Sequence, residues 1–306
     1  MSKKVWKDHL LSSGVPLEYS VARVFERLGS WQPGEFRYER ADADGIPRVF
    51  SVDVHSSHID TNTNFWLETL VECKYRHDGT KWVFTPHEYR SFFGPDFDDI
   101  FVTLDQCCED RQLNRRTLAD FRTHYPLCGK GIEILPSDSN PKTIEQAVQQ
   151  LRFAVVAKAI DAIIHQVDGL LGSPTPLFVI VPMVVTTAEL WRLKSGITVE
   201  DVRAADEIEA VADPHDLLVL WREPDNLDKR HVTDRFYETL SESQIEKLDS
   251  ALKAIGKDGF DFFVDSFASF NPSLFVVVHY DRFESAVTNL HRFFAEDRLI
   301  MDRGTG

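Results

Sequence analysis

Two acidic residues and a lysine lie close together in a segment that has the pattern of paired β-strands. Asp53 lies in one strand-like run, and Glu72 and Lys74 flank a cysteine in the next one. Charged side chains are costly inside strands, because a strand buries at least one of its faces. A hairpin that brings two carboxylates and an ammonium group together therefore predicts a site for a divalent metal ion and an attacking water.

A helix and three strands are predicted to position these side chains. Apolar residues recur at helical spacing over residues 16–28, and Glu18 lies on the apolar stripe of this helix. Turn signals separate three strand-like runs, at residues 36–40, 49–55 and 66–76. Side chains alternate between the two faces of a strand, so Glu72 and Lys74 share one face of the third run. We therefore expect both carboxylates to reach the same side of a sheet.

The rest of the chain alternates between helical and strand-like segments. Residues 77–140 are irregular, and a long apolar stripe predicts a helix over residues 141–167. Continuous apolar runs are typical of strands that are covered on both faces, and they occur at residues 177–186, 217–221 and 274–279. This order predicts an α/β fold with a mixed central sheet flanked by helices.

The order of the charged residues resembles that of the PD-(D/E)xK, or restriction-endonuclease-like, superfamily. A helix carries Glu18, a strand carries Asp53, the next strand carries Glu72-Cys73-Lys74, and a helix and a buried strand follow. Valine precedes the aspartate here, where the family has proline. The resemblance covers roughly residues 17–193. It implies a restriction-endonuclease-like core with an insertion at about residues 77–140, after the Glu-x-Lys strand, and a C-terminal α+β extension.

The resemblance implies a role for each of these side chains. Asp53 and Glu72 would hold Mg²⁺, or Mn²⁺ as a substitute, with the backbone carbonyl of Cys73 as a further ligand, since such cations prefer oxygen ligands. The metal ion would neutralise charge and acidify a bound water, and Lys74 would orient that water. Glu18 would bind a second ion or hold a water near the first one.

Some branches of the superfamily also carry a glutamine on the helix that follows the Glu-x-Lys strand. Gln146 is the nearest counterpart in this chain, and Gln150 is the second choice. The implied reaction is metal-dependent hydrolysis of phosphodiester bonds in nucleic acid. We expect DNA rather than RNA as the substrate, and an endonuclease rather than an exonuclease.

Charge is distributed unevenly along the chain. The formal net charge is −15 at pH 7, and residues 200–306 hold 23 acidic and 12 basic side chains. This balance argues against a surface that coats nucleic acid generally, and phosphate binding is expected within the nuclease-like core at residues 1–199. Arg111, Arg115 and Arg116 are candidates for phosphate contacts. The acidic segment is expected to form a C-terminal lobe, distinct from the core or continuous with it, that binds a protein partner or forms a homodimer.

Three other interpretations stay open at the level of the sequence. Asp53, Glu72 and Lys74 would also suit an exposed cross-strand salt-bridge cluster, which contributes about 1 kcal/mol or less per pair. The chain would also suit a non-catalytic binding or regulatory protein that retains a nuclease-like fold. A hydrolase of another small phosphate substrate is a third alternative.

The histidines near Asp53 offer a further alternative. His55 and His58 are a weak match for a zinc site, because no third or fourth ligand is evident. His55 alternates onto the face of Asp53 and would support a metal ion there. Asp60 would replace Asp53 as a ligand if the register of the hairpin differed.

Composition indicates a soluble, cytoplasmic protein without a membrane partner. The 306 residues are 43% hydrophobic, which is enough for one large core. No apolar run approaches the length of a transmembrane helix, and the first residues lack the apolar stretch of a signal peptide. No C-x-x-C pair occurs among the four cysteines, so we expect reduced thiols, with Cys73 packed in the core.

Overall fold

The computed structural model describes residues 5–41, 46–60, 65–87, 102–103, 125–135, 139–140, 142–170, 177–254, 256 and 258–304. The helices in this part of the chain are α1 (Val5–Ser12), α2 (Val15–Arg27), α3 (Thr143–His165), α4 (Val199–Ala204), α5 (Asn226–Thr239), α6 (Glu242–Ala254), α7 (Phe260–Phe270) and α8 (Phe283–Gly304). The strands are β1 (Trp31–Ala41), β2 (Pro47–Asp60), β3 (Phe65–Lys74), β4 (Lys81–Pro86), β5 (Val102–Thr103), β6 (Leu127–Ile134), β7 (Ser139–Asn140), β8 (Leu177–Thr186), β9 (Glu189–Leu193), β10 (Ala212–His215), β11 (Leu217–Trp221) and β12 (Leu274–His279).

These strands form one mixed sheet. Its order is β1-β2-β3-β8-β12-β11-β6-β4-β9-β10, and β5 and β7 pair with β8 and β6. The first three strands are antiparallel to one another, whereas β3, β8 and β12 run parallel. The predicted α/β class, with a mixed sheet flanked by helices, is therefore confirmed.

The predicted elements agree with the structure in type and position. The three continuous apolar runs are β8, β11 and β12, and the long helix is α3. β1 and β2 are longer than predicted, because polar residues and a proline at their ends still pair with the neighbouring strand. Backbone pairing does not depend on the hydrophobic pattern, so the pattern marks only the buried middle of these strands.

The sheet curls back on itself. Only Thr187 and Ala188 separate β8 from β9, and two residues span at most about 10 Å. Yet four other strands lie between β8 and β9 along the sheet. The strands β4 and β6, which are distant from β3 in the strand order, are therefore close to the C-terminal end of β3 in space.

Helices cover both faces of this curled sheet. On one face α3 packs with α5, α6 and α7 in a core that includes Trp82 and Phe84. On the other face α2 and α8 pack in a second core, against alternate residues of β3 and β8. Burial on both faces explains the nearly continuous apolar sequence of the central strands.

Strands from the middle and the end of the chain join the same sheet. β4 and β6 come from residues 77–140, where the sequence predicts an insertion, and β11 and β12 come from residues 200–306. β12 and β11 lie between β8 and β6. In the part of the chain that is described, no helix has the length and apolar character to cross a membrane.

Candidate active site

β2 leaves β3 at the candidate site. The pairing between these strands ends where Val54 lies opposite Val71, and the register between β1 and β2 shifts at the same level. Val52 packs in the core on the α3 side and Val54 in the core on the α2 side, although residues two apart share a face in a regular strand. This irregularity contains Asp53. Bulges of this kind re-aim a side chain and end strand pairing.

The side chain of Asp53 provides β3 with a hydrogen-bond acceptor where the backbone of β2 no longer pairs with it. Its Oδ2 atom accepts the backbone N–H of Cys73 at 2.7 Å, two residues beyond Val71, which is the last residue of β3 that pairs with β2. Burial raises the pKa of Asp53, while the Cys73 N–H and Lys74 act in the opposite direction. The carboxylate is therefore fixed beside the Glu-x-Lys triplet.

Glu72 is the most deeply buried group of the site. Its exposure is 1%, and its Oε1 atom accepts a hydrogen bond from Lys74 Nζ at 2.5 Å. The other oxygen, Oε2, is buried and has no hydrogen-bond partner among the described residues. Burial, together with the charge of Asp53, raises the pKa of Glu72 to about 7, against the lowering effect of Lys74. A buried carboxylate with one unpartnered oxygen lacks a partner that a cation would supply.

Lys74 is held at its backbone as well as at its side chain. The hydroxyl of Thr186, its partner on β8, donates to the Lys74 carbonyl at 2.9 Å. That hydroxyl also accepts the N–H of Ala188, which fixes the corner between β8 and β9. The ammonium group keeps part of its surface exposed, so it reaches both the buried Glu72 and the solvent.

Glu18 approaches the site from α2, in the first turn of the helix. Burial and the nearby charge of Asp53 raise its pKa, and Lys74 lowers it. Gly14 precedes the helix with a φ of +81°, and a Cβ atom there would lie 3.0 Å from Glu18 Oε1. The structure thus brings Glu18 near Asp53 and Lys74, two of the residues with which the sequence predicts it to act.

Sequence reasoning missed a further carboxylate, that of Glu35. It lies on β1 between Gly34 and Phe36, where the register with β2 shifts. Its charge raises the pKa of both Glu18 and Asp53. The preceding Pro33-Gly34 dipeptide is typical of a turn, so the predicted strand begins only at residue 36 and leaves Glu35 out.

Cys73 packs in the core, as predicted. Its side chain is buried on the α2 side of the sheet, opposite to the side occupied by Leu70. Burial raises the pKa of the thiol well above its usual value, and Asp53 and Glu72 add to this effect. Because the thiol packs in the core on the α2 side, only the backbone of this residue is available to the site.

The remaining predicted site residues are not brought into contact with Glu72 by any hydrogen bond between described residues. Gln146 is exposed on α3, and Gln150 is half-buried and receives the Tyr38 hydroxyl at its backbone carbonyl. Their assignment stays a prediction. The predicted phosphate-binding residues Arg111, Arg115 and Arg116 lie outside the described residues.

Three alternatives disagree with the structure. An exposed salt-bridge cluster is excluded, because Glu72 is buried. His55 binds Glu68, whereas His58 stacks on His291 of α8, so these histidines do not converge on a zinc ion. Asp60 lies opposite Phe65 at the other end of the hairpin, too far along the strand to replace Asp53.

The donor set fits a hard divalent cation. Asp53 and Glu72 offer oxygen atoms, one of them unpartnered, and Mg²⁺ needs only one or two protein carboxylates because it keeps several waters. Among the described residues no group of three or more His, Cys, Asp or Glu side chains is arranged to hold a metal ion. Any metal site here therefore depends on two carboxylates together with waters or backbone oxygens.

Comparisons of the chain with protein-family models, with curated proteins and with solved structures find no match. The chemistry of the site is therefore inferred from its own geometry.

Proposed function

We propose that this protein is a divalent-metal-dependent nuclease that hydrolyses phosphodiester bonds in DNA. The proposal rests on the environment of Glu72, a buried carboxylate that pairs with Lys74 through one oxygen and whose other oxygen has no partner among the described residues. Burial of a carboxylate with an unpaired oxygen destabilises the folded protein, whereas a bound cation would provide the missing partner.

Asp53 and Glu72 would hold Mg²⁺ or Mn²⁺, with the Cys73 carbonyl as a further oxygen ligand. The metal ion supplies neutralisation of phosphate charge and a more acidic water. Lys74 orients the attacking water and offsets the negative charge that builds on the phosphoryl oxygens. Glu18 faces the same region and accepts a hydrogen bond from a water near the reacting phosphate.

The order of the elements also supports a restriction-endonuclease-like core. Helix α2 precedes three antiparallel strands, and α3 leads into β8, which runs parallel to β3. The carboxylates and the lysine lie where β2 leaves β3. Both features are those that the resemblance to the PD-(D/E)xK superfamily implies.

The proposal predicts that cleavage of DNA depends on Asp53 and Lys74. The protein is incubated with single- and double-stranded DNA and Mg²⁺ or Mn²⁺, beside Asp53→Ala and Lys74→Ala. Each substitution is expected to reduce the cleavage rate at least about 100-fold, because each removes a charge that acts on the reacting phosphate. Asp234→Ala and Lys247→Ala, which alter exposed ion pairs elsewhere, serve as matched controls.

Other outcomes would point to other functions. Equal cleavage by the wild type and both site variants would place the activity elsewhere or in a contaminant. Binding of DNA without cleavage under all these conditions would favour a non-catalytic binding protein. Turnover of small phosphate esters in a nucleotide panel, without cleavage of DNA, would favour a hydrolase of small phosphate substrates.

A further inference from the structure

Arg76 lies just beyond the Glu-x-Lys triplet and has no role in the proposed chemistry so far. We propose that its guanidinium group binds the DNA phosphate next to the one that is hydrolysed. This inference rests on the proposed function, because it takes DNA as the substrate of the same site.

Arg76 lies on the same side of the sheet as Glu72 and Lys74. Its side chain contacts Glu133, which in turn accepts hydrogen bonds from Trp82 and from Thr143 at the start of α3. Trp82 belongs to the core on the α3 side. The curl of the sheet is what brings Glu133 of β6 to this position.

The spacing suits two consecutive phosphates of one strand. Arg76 lies two residues beyond Lys74, just past the end of β3, so their Cα atoms are at most about 7 Å apart. This separation is of the order of the distance between neighbouring phosphates in a nucleic-acid strand. If Lys74 lies beside the reacting phosphate, Arg76 therefore lies beside the next one.

The guanidinium group is held with one edge towards solvent. Nε donates to Glu133, and Nη1 donates to the Tyr75 carbonyl at 2.7 Å. Nη2 has no acceptor among the described residues, and the side chain remains 23% exposed. Arginine forms strong paired hydrogen bonds to phosphate when its planar fork is oriented in advance, since little side-chain freedom is then lost on binding.

The backbone of Arg76 is fixed as firmly as its side chain. The Thr187 hydroxyl accepts the Arg76 N–H and donates to the Arg76 carbonyl, both at 2.7 Å. Thr187 belongs to the same corner that holds Lys74 through Thr186. The two cations are therefore positioned relative to each other by one short segment of chain.

The competing explanation is that Arg76 only neutralises the buried carboxylate of Glu133. A test must therefore remove the arginine without leaving that carboxylate uncompensated. Glu133→Gln provides the background, and the double variant Arg76→Gln with Glu133→Gln differs from it only in the guanidinium group. Arg282→Gln, which removes an exposed arginine paired with Asp216, is the matched control for charge.

The measurement is the dissociation constant of a fluorescein-labelled DNA duplex in EDTA, from about 50 to about 200 mM salt. Relative to Glu133→Gln, the double variant is expected to bind about three- to tenfold more weakly at low salt, and its salt slope should fall by about 0.9. Arg282→Gln should leave affinity and slope at the wild-type values. Circular dichroism verifies that each variant is folded.

Three results would overturn the assignment. Equal affinity and slope for the double variant and its background, with normal cleavage by the wild type, would overturn the role of Arg76 alone. An equal loss in Arg282→Gln would show a general effect of charge rather than a contact. Failure of the wild type to bind or cleave DNA would overturn the proposed function and this inference together.

If the double variant does not fold, Arg76→Lys provides an alternative test. Lysine keeps the positive charge beside Glu133 but lacks the planar fork. It is expected to retain the salt slope and to bind DNA about threefold more weakly. Wild-type affinity in this variant would overturn the assignment.

Discussion

Among the single residues of the site, Glu72 has the least favourable environment. It is buried, and one of its oxygens has no hydrogen-bond partner in the part of the chain that the structure describes. Asp53 and Lys74 differ from it, because both side chains keep some exposure to solvent. A carboxylate in this environment destabilises the folded chain whenever it is ionised. Such positions are typical of functional groups, whose stability cost is offset elsewhere in the protein.

The raised pKa of Glu72 predicts that Glu72→Gln stabilises the metal-free protein at pH 8. The folded state keeps the proton up to about pH 7, whereas the unfolded state releases it near the usual value of 4.5. Stability therefore falls as the pH rises through this interval and stays lower above it. We expect the variant to gain about 2 kcal/mol at pH 8, after allowance for the lost pair with Lys74, and to lose DNA cleavage.

Urea denaturation in EDTA at pH 8 and at pH 4.5 measures this effect. Most of the advantage of the variant should disappear at the lower pH, where the wild-type carboxyl is protonated in the folded state and about half protonated in the unfolded state. Glu284→Gln, an exposed glutamate paired with Arg27, should not change the free energy of unfolding in a pH-dependent way. A variant that is less stable than the wild type at pH 8 would contradict the account of Glu72.

At the scale of elements, a buried ion pair joins α3 to the C-terminal helices. Arg152 of α3 contacts Asp228 of α5, and both side chains are buried. Arg152 Nη2 also donates to the Arg222 carbonyl at 2.8 Å, and Gln149 donates to Asp228. These contacts hold α3 against a segment that lies far away in the sequence.

Removal of one partner from this pair is expected to be strongly destabilising. Asp228→Ala leaves the guanidinium group of Arg152 buried without its counter-charge, which costs about 3 kcal/mol. Asp234→Ala, on the exposed face of the same helix, should change the free energy of unfolding by less than about 0.5 kcal/mol. Chemical denaturation of both variants measures the difference, and equal effects would show that the pair is not important for docking the helix.

At the scale of the whole molecule, one sheet joins segments from the entire chain. β12 and β11 come from the last third of the sequence, yet they lie between β8 and β6. The edge strands differ in length, since β1 has 11 residues and β10 only 4. The charged residues of β1 and the Pro214 of β10 make both edges poor templates for pairing with another chain.

This topology predicts that residues 1–199 do not fold as a separate unit. The fragment lacks β11 and β12, so β8 and β6 would each lose a hydrogen-bonded neighbour and the apolar residues covering it. We expect no cooperative thermal transition and strong binding of a hydrophobic dye. A cooperative transition in the isolated fragment would show that the C-terminal segment is a separate domain.

The sequence by itself determined the elements whose signals are local. Periodicity identified α2 and α3, and continuous apolar runs identified β8, β11 and β12. The Ser241-x-x-Gln244 capping box is another local signal, and its reciprocal hydrogen bonds are present at the start of α6. The triplet Glu72-Cys73-Lys74 could be selected because charges on a buried strand are costly.

Only the tertiary structure decided how these elements come together. The shift at Asp53, the approach of Glu35 and the contact between Glu133 and Arg76 depend on register and on the curl of the sheet. The sequence pattern repeats every two residues in any strand, so it does not specify which strands pair or where pairing stops. Packing over long sequence separations determines both. Among the described residues, this packing leaves one oxygen of Glu72 buried without a hydrogen-bond partner.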